Sequence, residues 1–433
     1  MNSTAPSGTF ITLLIVLGFL TRSYSSKFVL YRLPESEFPT AKCLDGSSGS
    51  YYLRVANSEQ RDKWIIVMES GGWCWDPEDC LRRATTNLGS SRSLKSSLSS
   101  EYFQRIGVFD NTPGSSVVAG WNAVYMNYCD GGSFSSDSEG TFDSQKLYFR
   151  GRDIRNAIVH SLLVRHDMKI ASEIVVAGLS AGGLGVFLGL DSIAAQIAAL
   201  NNRAVVVGLP DSGVFLDQAS PLTQFSPELF QSSRKFPLDG GGRIDYGFAM
   251  RQLNKMMRLE RGSNDVCVSN SPRYRPCIFA QHIAPYISTP FFLINSMYDT
   301  WSIKNVYGSM LAGDRVGINL FGYNTSTAIR KIVSDKSGIA TGSKVPRGAF
   351  VDSCARHTTT TFQWEGAVRD DTGRSPARAF TEWYEAVVRG KSIPQKRKSA
   401  TPSRPLTELT TQSFRVNKAY NDVPRARPMS TDD

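Results

Sequence analysis

Glu173-Ile174-Val175-Val176-Ala177-Gly178-Leu179-Ser180-Ala181-Gly182-Gly183-Leu184-Gly185 is an apolar, β-branched run that breaks into Gly-x-Ser-x-Gly and then resumes as helix-forming sequence. The pattern is that of a nucleophile elbow. A strand feeds a tight turn, glycines two before and two after the serine let the backbone bend sharply, and Ser180 stands exposed where strand gives way to helix. The first amides of that helix point at the same place and favour negative charge developing there. A five-residue match alone would equally suit a glycine-rich turn whose serine only caps a helix. The strand before it, and Val186-Phe187-Leu188-Gly189-Leu190 after it, favour a catalytic serine.

The chain on either side repeats one theme. Residues 64–69, 123–126, 204–208 and 290–295 are short and almost continuously apolar. Continuous rather than alternating hydrophobicity predicts strands buried on both faces, as in a parallel sheet with helices on either side. Each run releases a Gly- or Asp-bearing segment: Ser70-Gly71-Gly72-Trp73, Asp130-Gly131-Gly132-Ser133, Asp211-Ser212-Gly213 and Tyr298-Asp299-Thr300-Trp301. Residues 151–164 place Ile154, Ile158, Leu162 and Leu163 on one helical face. Residues 51–55 predict a further strand, 27–42 a lead-in, 84–104 a serine-rich mobile excursion, and 218–285 a largely helical polar insertion. Strands alternating with helices predict a doubly wound, mostly parallel α/β sheet that binds ligands at the carboxyl ends of its strands.

With 41% hydrophobic and 20% charged residues in 433, the chain has the composition of a globular protein with a sizeable core. The net charge of +10 suits polyanionic glycans or membrane surfaces. Much of the excess lies in residues 391–433, whose Ser, Pro and Thr content predicts a disordered basic tail. No nucleic-acid motif accompanies the charge, so nucleic acid is not an expected partner. Residues 1–25 read as a signal peptide: the apolar stretch 10–20 is short for a bilayer crossing, and Ser23-Tyr24-Ser25 offers a small-x-small cleavage pattern. No Lys or Arg precedes that stretch, so an uncleaved membrane anchor is the alternative to secretion. Seven cysteines fit an oxidising compartment, in which Cys74 with Cys80 and Cys267 with Cys277 could close small loops, and the odd count leaves at least one thiol free or paired between chains. Asn324-Thr325-Ser326 is a glycosylation sequon in a loop-like Gly-Tyr-Asn context.

A serine hydroxyl needs a base within hydrogen-bond reach, itself oriented by a carboxylate. Of the four histidines, His160 and His166 lie at the end of a predicted helix, and His282 reads as a packing or surface residue. His357, in loop-like sequence after the last strand, completes the order Ser, Asp, His that α/β-hydrolases use. Asp211 and Asp299 both follow strands and both could serve as the acid; Asp299, beside Tyr298 and Trp301, is the better shielded candidate. Oxyanion donors are expected from the amide of Ala181 and from the loop Gly71-Gly72-Trp73. Four scattered histidines do not form a metal site, and no cofactor or metal is expected.

Six ordered blocks sharpen this reading: Cys43-Leu44-Asp45-Gly46-Ser47, Glu69-Ser70-Gly71-Gly72-Trp73-Cys74, Tyr128-Cys129-Asp130-Gly131-Gly132-Ser133-Phe134, Gly178-Leu179-Ser180-Ala181-Gly182-Gly183, Asn295-Ser296-Met297-Tyr298-Asp299-Thr300-Trp301 and Asp352-Ser353-Cys354-Ala355-Arg356-His357. Together they resemble the signature blocks of the pectin acetylesterase family, which includes the Notum carboxylesterases, over about residues 40–390. The resemblance implies an α/β-hydrolase fold with helical insertions and a metal-independent serine esterase. It places the nucleophile on Ser180, the acid on Asp299 rather than Asp211, the base on His357, and the oxyanion donors on the amides of Gly72, Trp73 and Ala181. Ser70 departs from the family's usual third glycine, and Thr358 stands where plant members tend to carry a cysteine, which bears on the odd cysteine count.

The expected organisation is a leader (1–25), an esterase domain (40–390) and the tail (391–433). The expected partner is an acylated, acidic polysaccharide from which acetyl groups are removed, or alternatively a secreted protein carrying a long-chain acyl ester. A glycan-binding module without turnover is the remaining alternative, against which the intact triad argues.

Overall fold

The computed structural model describes residues 27–57, 59–103, 106–218, 246–272, 276–308, 314–335, 337, 345–361, 364–366, 368–370 and 372–390. The expected leader and basic tail lie outside them, as do residues 219–245 of the expected insertion.

Among the described residues the strands are β1 (Lys27–Arg32), β2 (Ser50–Arg54), β3 (Lys63–Met68), β4 (Ser97–Ser99), β5 (Asn122–Met126), β6 (Ser138–Phe142), β7 (Gln145–Phe149), β8 (Glu173–Leu179), β9 (Val205–Asp211), β10 (Phe291–Ser296) and β11 (Arg347–Asp352). Nine of them form one sheet in the order β11-β10-β9-β8-β3-β5-β2-β1-β4, and β6 pairs with β7 in a separate hairpin. From β11 to β5 every pairing is parallel; β5, β2, β1 and β4 continue the sheet with antiparallel pairings. The chain is thus a mostly parallel α/β sheet, as its apolar runs predict.

Side chains alternate between two cores. In β3, Trp64, Ile66 and Met68 face a larger core, while Ile65 and Val67 face a smaller one. The larger core is covered by α2 (Gly151–Arg165), α3 (Ala181–Leu200), α4 (Tyr246–Met257) and α5 (Arg315–Ser334). The smaller is closed by α6 (Pro376–Val388), through Phe380, Trp383 and Tyr384, and by an irregular segment carrying Phe103, Phe109 and Trp121. Burial on both faces explains why strand sequences such as 64–68 show no polar alternation.

The structure departs from the sequence reading in four places. The lead-in contains β1, an edge-side strand with exposed residues that blur its pattern. The serine-rich excursion is ordered over residues 84–103: it contributes β4, and Arg32 Nη2 donates to the carbonyls of Ser91 (2.9 Å) and Leu94 (3.1 Å). Strand β11 follows the run 290–295, the last strand the sequence predicts; its polar ends hide it, although Arg347 is buried and donates to the carbonyls of Ile332 and Ile287. The sequon lies in helix α5 rather than a loop, with Asn324 exposed and Thr325 and Ser326 buried.

Disulfides join Cys74 to Cys80 and Cys267 to Cys277, the two close pairs expected, and Cys43 to Cys129; Cys354 lies outside them.

Candidate active site

Four neighbouring parallel strands, β8, β9, β10 and β11, end along one edge of the sheet, and each releases a loop there. Ser180 follows β8 with φ 55° and ψ −118°, a conformation that costs a non-glycine residue about 1–3 kcal/mol. Close packing enforces the turn. A Cβ on Gly182 would meet the carbonyl oxygens of Met68 and Glu69 at 2.3 and 2.5 Å, and one on Gly178 would meet that of Gly182 at 2.2 Å. The Ser180 N–H donates to the carbonyl of Asp211 (2.8 Å), which ties the elbow to β9.

Asp299 follows β10, is 1% exposed, and accepts from the backbone N–H of Ser302 at 2.7 Å through Oδ1. Its Oδ2 lies 2.7 Å from Nδ1 of His357, whose Nε2 lies 2.7 Å from Oγ of Ser180. Because a carboxylate only accepts, the imidazole carries its proton on Nδ1 and turns the Nε2 lone pair to the serine hydroxyl. Burial opposes the charged imidazole, yet the adjacent Asp299 carboxylate, helped by Asp211, outweighs it, and the His357 pKa stands above its ordinary 6.5. The His357 side chain keeps 21% exposure, so water has access to it.

Asp211, at the end of β9, is fully buried. Its Oδ2 accepts the N–H of Thr359 (2.8 Å) and both the N–H and the hydroxyl of Thr360 (2.6 Å each). Its Oδ1 accepts from Ser212 Oγ, which in turn accepts the N–H of Thr358 (3.0 Å). Burial raises the Asp211 carboxyl above its usual range, against the pull of the Thr360 bonds. The second candidate acid therefore pins the three residues that follow His357.

The loop after β3 bends through Gly71 (φ 154°) and Gly72 (φ 61°), while Ser70 has no positive φ and so costs nothing in place of a glycine. Among the described residues, nothing accepts a hydrogen bond from the amides of Gly72, Trp73 or Ala181. Trp73, Phe215 and Trp301 form a contiguous aromatic wall, with centroids 5.1, 5.0 and 5.5 Å apart, and Phe215 and Trp301 both approach the His357 ring.

Sequence reasoning thus named three side chains that the fold brings into one hydrogen-bonded line. The other histidines are elsewhere. His166 caps α2 with its Nε2 3.0 Å from the Tyr51 hydroxyl, His160 meets Phe38 edge-on, and His282 Nε2 lies 2.7 Å from Asp217. A strand-end Asp211 outside the triad is expected to be a turn carboxylate capping local amides, and it does cap amides, but ones 148 and 149 positions away; missed entirely were the contacts of Tyr128, Arg83 and Ser133 with the Gly71–Trp73 loop. Tyr128 and Ser133 stand in one of the six blocks, but no local pattern says what their hydroxyls touch.

Strand order and loop placement make this an α/β-hydrolase-type protein. Residues 22–398 match the family model described as pectinacetylesterase. The chain belongs to that family and is a carboxylic ester hydrolase. It is 28% identical over 382 residues to Pectin acetylesterase 7 of Arabidopsis thaliana, covering 84% of this chain and 88% of the relative. Pectin acetylesterase 5 of the same plant is 29% identical over 367 residues, covering 79% and 77%. The Palmitoleoyl-protein carboxylesterase NOTUM of Homo sapiens is 26% identical over 362 residues, covering 82% of this chain and 62% of the relative.

Proposed function

We propose that the protein is a secreted serine carboxylesterase with Ser180 as nucleophile, His357 as base, Asp299 as acid, and the amides of Gly72, Trp73 and Ala181 as oxyanion hole. The observation that carries this reading is the line Asp299–His357–Ser180, with both links at 2.7 Å. His357 Nε2 takes the serine proton as Oγ attacks an ester carbonyl, and the three amides hold the oxygen that becomes negative. Each such donor contributes about a hundred- to a thousandfold in rate. The imidazolium then protonates the departing alcohol, and a water activated by the same nitrogen hydrolyses the acyl-enzyme.

The substrate is an acetyl ester on an acidic polysaccharide. The mutual contact of Trp73, Phe215 and Trp301 beside the imidazole favours a small acyl group over a long chain. The net charge of +10 favours a polyanionic carrier. Three disulfides support secretion. The second reading, deacylation of a lipid-bearing protein, draws on the same rings, whose apolar faces would line an acyl chamber if they separated.

Hydrolysis of p-nitrophenyl acetate, a long-chain p-nitrophenyl ester and acetylated pectin, by wild type and Ser180→Ala, tests the assignment. Acetate release from pectin, lost in Ser180→Ala, is expected. Turnover surviving Ser180→Ala removes the nucleophile, and preference for the long chain favours the second reading.

A further inference from the structure

Two hydrogen bonds fall on the peptide carbonyls of the loop after β3. Arg83, on α1 (Pro77–Ala84), donates from Nη1 to the carbonyl of Gly71 at 2.8 Å and from Nε to that of Leu88 at 3.0 Å. The Tyr128 hydroxyl donates to the carbonyl of Gly72 at 2.7 Å and accepts the N–H of Ser133 at 3.0 Å. The Ser133 N–H occupies an acceptor position on the Tyr128 oxygen, so the one hydroxyl proton is committed to Gly72.

The consequence follows from peptide geometry. A trans peptide is planar, with its C=O and N–H pointing in opposite directions. The carbonyl of Gly71 shares a plane with the N–H of Gly72, and the carbonyl of Gly72 shares one with the N–H of Trp73. Pulling both carbonyls towards Arg83 and Tyr128 therefore turns both N–H groups the other way. Glycine at 71 and 72 leaves these planes otherwise easy to rotate.

Resting on the oxyanion assignment above, we propose that Tyr128 and Arg83 are positioning residues that hold the Gly71–Gly72 and Gly72–Trp73 peptide planes so that both amides face the developing oxyanion. The surrounding structure stiffens both. Arg83 lies over the Tyr128 ring at 5.0 Å. Trp73 Nε1 donates to Ser133 Oγ at 2.9 Å, so the loop carrying Ser133 grips the same tryptophan by its side chain. Disulfides Cys74–Cys80 and Cys43–Cys129 each include a residue adjacent to Trp73 or Tyr128. Burial raises the Tyr128 pKa, which keeps its hydroxyl a donor. Donors fixed before the reaction stabilise charge without reorganising during it.

The test is Tyr128→Phe, which keeps the ring's packing on Phe134 (centroids 5.1 Å) and under Arg83 while removing the hydroxyl. kcat and KM are measured with p-nitrophenyl acetate, and affinity with a small trifluoromethyl ketone whose serine adduct carries an oxyanion. Activities are normalised to the folded fraction from thermal melts. The expected result is a 10- to 100-fold fall in kcat, KM within threefold of wild type, and a parallel fall in ketone affinity. Arg83→Met, read in the same way, serves if Tyr128→Phe does not fold. Unchanged kcat, or reduced kcat with unchanged ketone affinity, overturns the positioning role. An inactive Ser180→Ala beside a fully active Tyr128→Phe defeats this proposal alone, whereas an active Ser180→Ala defeats the function on which it rests.

Discussion

The carboxylate of Asp211 accepts both the backbone N–H and the hydroxyl of Thr360, each at 2.6 Å, across 149 positions of sequence. The carbonyl of the same aspartate holds the N–H of Ser180. One residue of β9 thus ties the elbow to the loop that carries His357.

Removing that tie should cost both stability and activity. In Asp211→Ala, the Thr359 and Thr360 amides and the Thr360 hydroxyl lose their buried acceptor. At about 1 kcal/mol or more each, stability should drop by roughly 3 kcal/mol. Asp299→Asn should behave differently, keeping its melting temperature within a few degrees while kcat falls by about three to four orders of magnitude because the imidazole adopts the wrong tautomer. Thermal melts and kcat for the two variants separate anchor from acid; matching phenotypes would refute the division.

Activity and stability should respond to pH in opposite directions around His357. Its folded pKa is raised above 6.5, so the base is protonated, and kcat/KM declines, as pH falls through that value. The charged His357–Asp299 pair contributes stability that is fully present below pH 6.5 and is lost as pH rises through the folded pKa. Asp299→Asn should move the acidic limb of the pH–rate profile to lower pH, as measured on residual activity. A limb that stays in place would mean another group sets it.

Gly182→Ala probes the elbow. The added methyl would sit 2.3 Å from the Met68 carbonyl oxygen, a backbone atom that can yield only by shifting β3. Overpacking of this kind costs about 1–3 kcal/mol, and the displacement reaches Ser180 directly. Loss of at least tenfold in kcat together with a lowered melting temperature is expected, and wild-type turnover would contradict the packing argument.

The Cys43–Cys129 bridge closes a separation of 86 residues. Loop-closure entropy makes such a link worth about 4.6 kcal/mol. The double variant Cys43→Ser/Cys129→Ser should melt well below wild type, and further below it than Cys74→Ser/Cys80→Ser, whose bridge spans only 6. The reverse ranking in differential scanning calorimetry would argue that local packing dominates.

Legibility followed the range of the interaction. The β8–Ser180–α3 turn was readable because a strand, a serine and flanking glycines are neighbours in sequence and obey local sterics. The parallel core was readable because burial on both faces leaves continuous apolar runs. Strand β11 was not, since a buried Arg347 bonded to distant carbonyls looks polar in isolation. The choice between Asp211 and Asp299, both at strand ends, rested on chain order, on the neighbouring Tyr298 and Trp301, and on resemblance.

The amino-acid order by itself determined a mostly parallel α/β sheet, a serine on a strained turn, and the short list of imidazoles and carboxylates that could serve it. Tertiary structure alone decided that Asp211 holds the loop after His357, and where the hydroxyl of Tyr128 points. Backbone sterics and hydrophobic patterning are written over a few residues, whereas a 2.7 Å hydrogen bond between groups 58 or 177 positions apart exists only once the strands between them have packed.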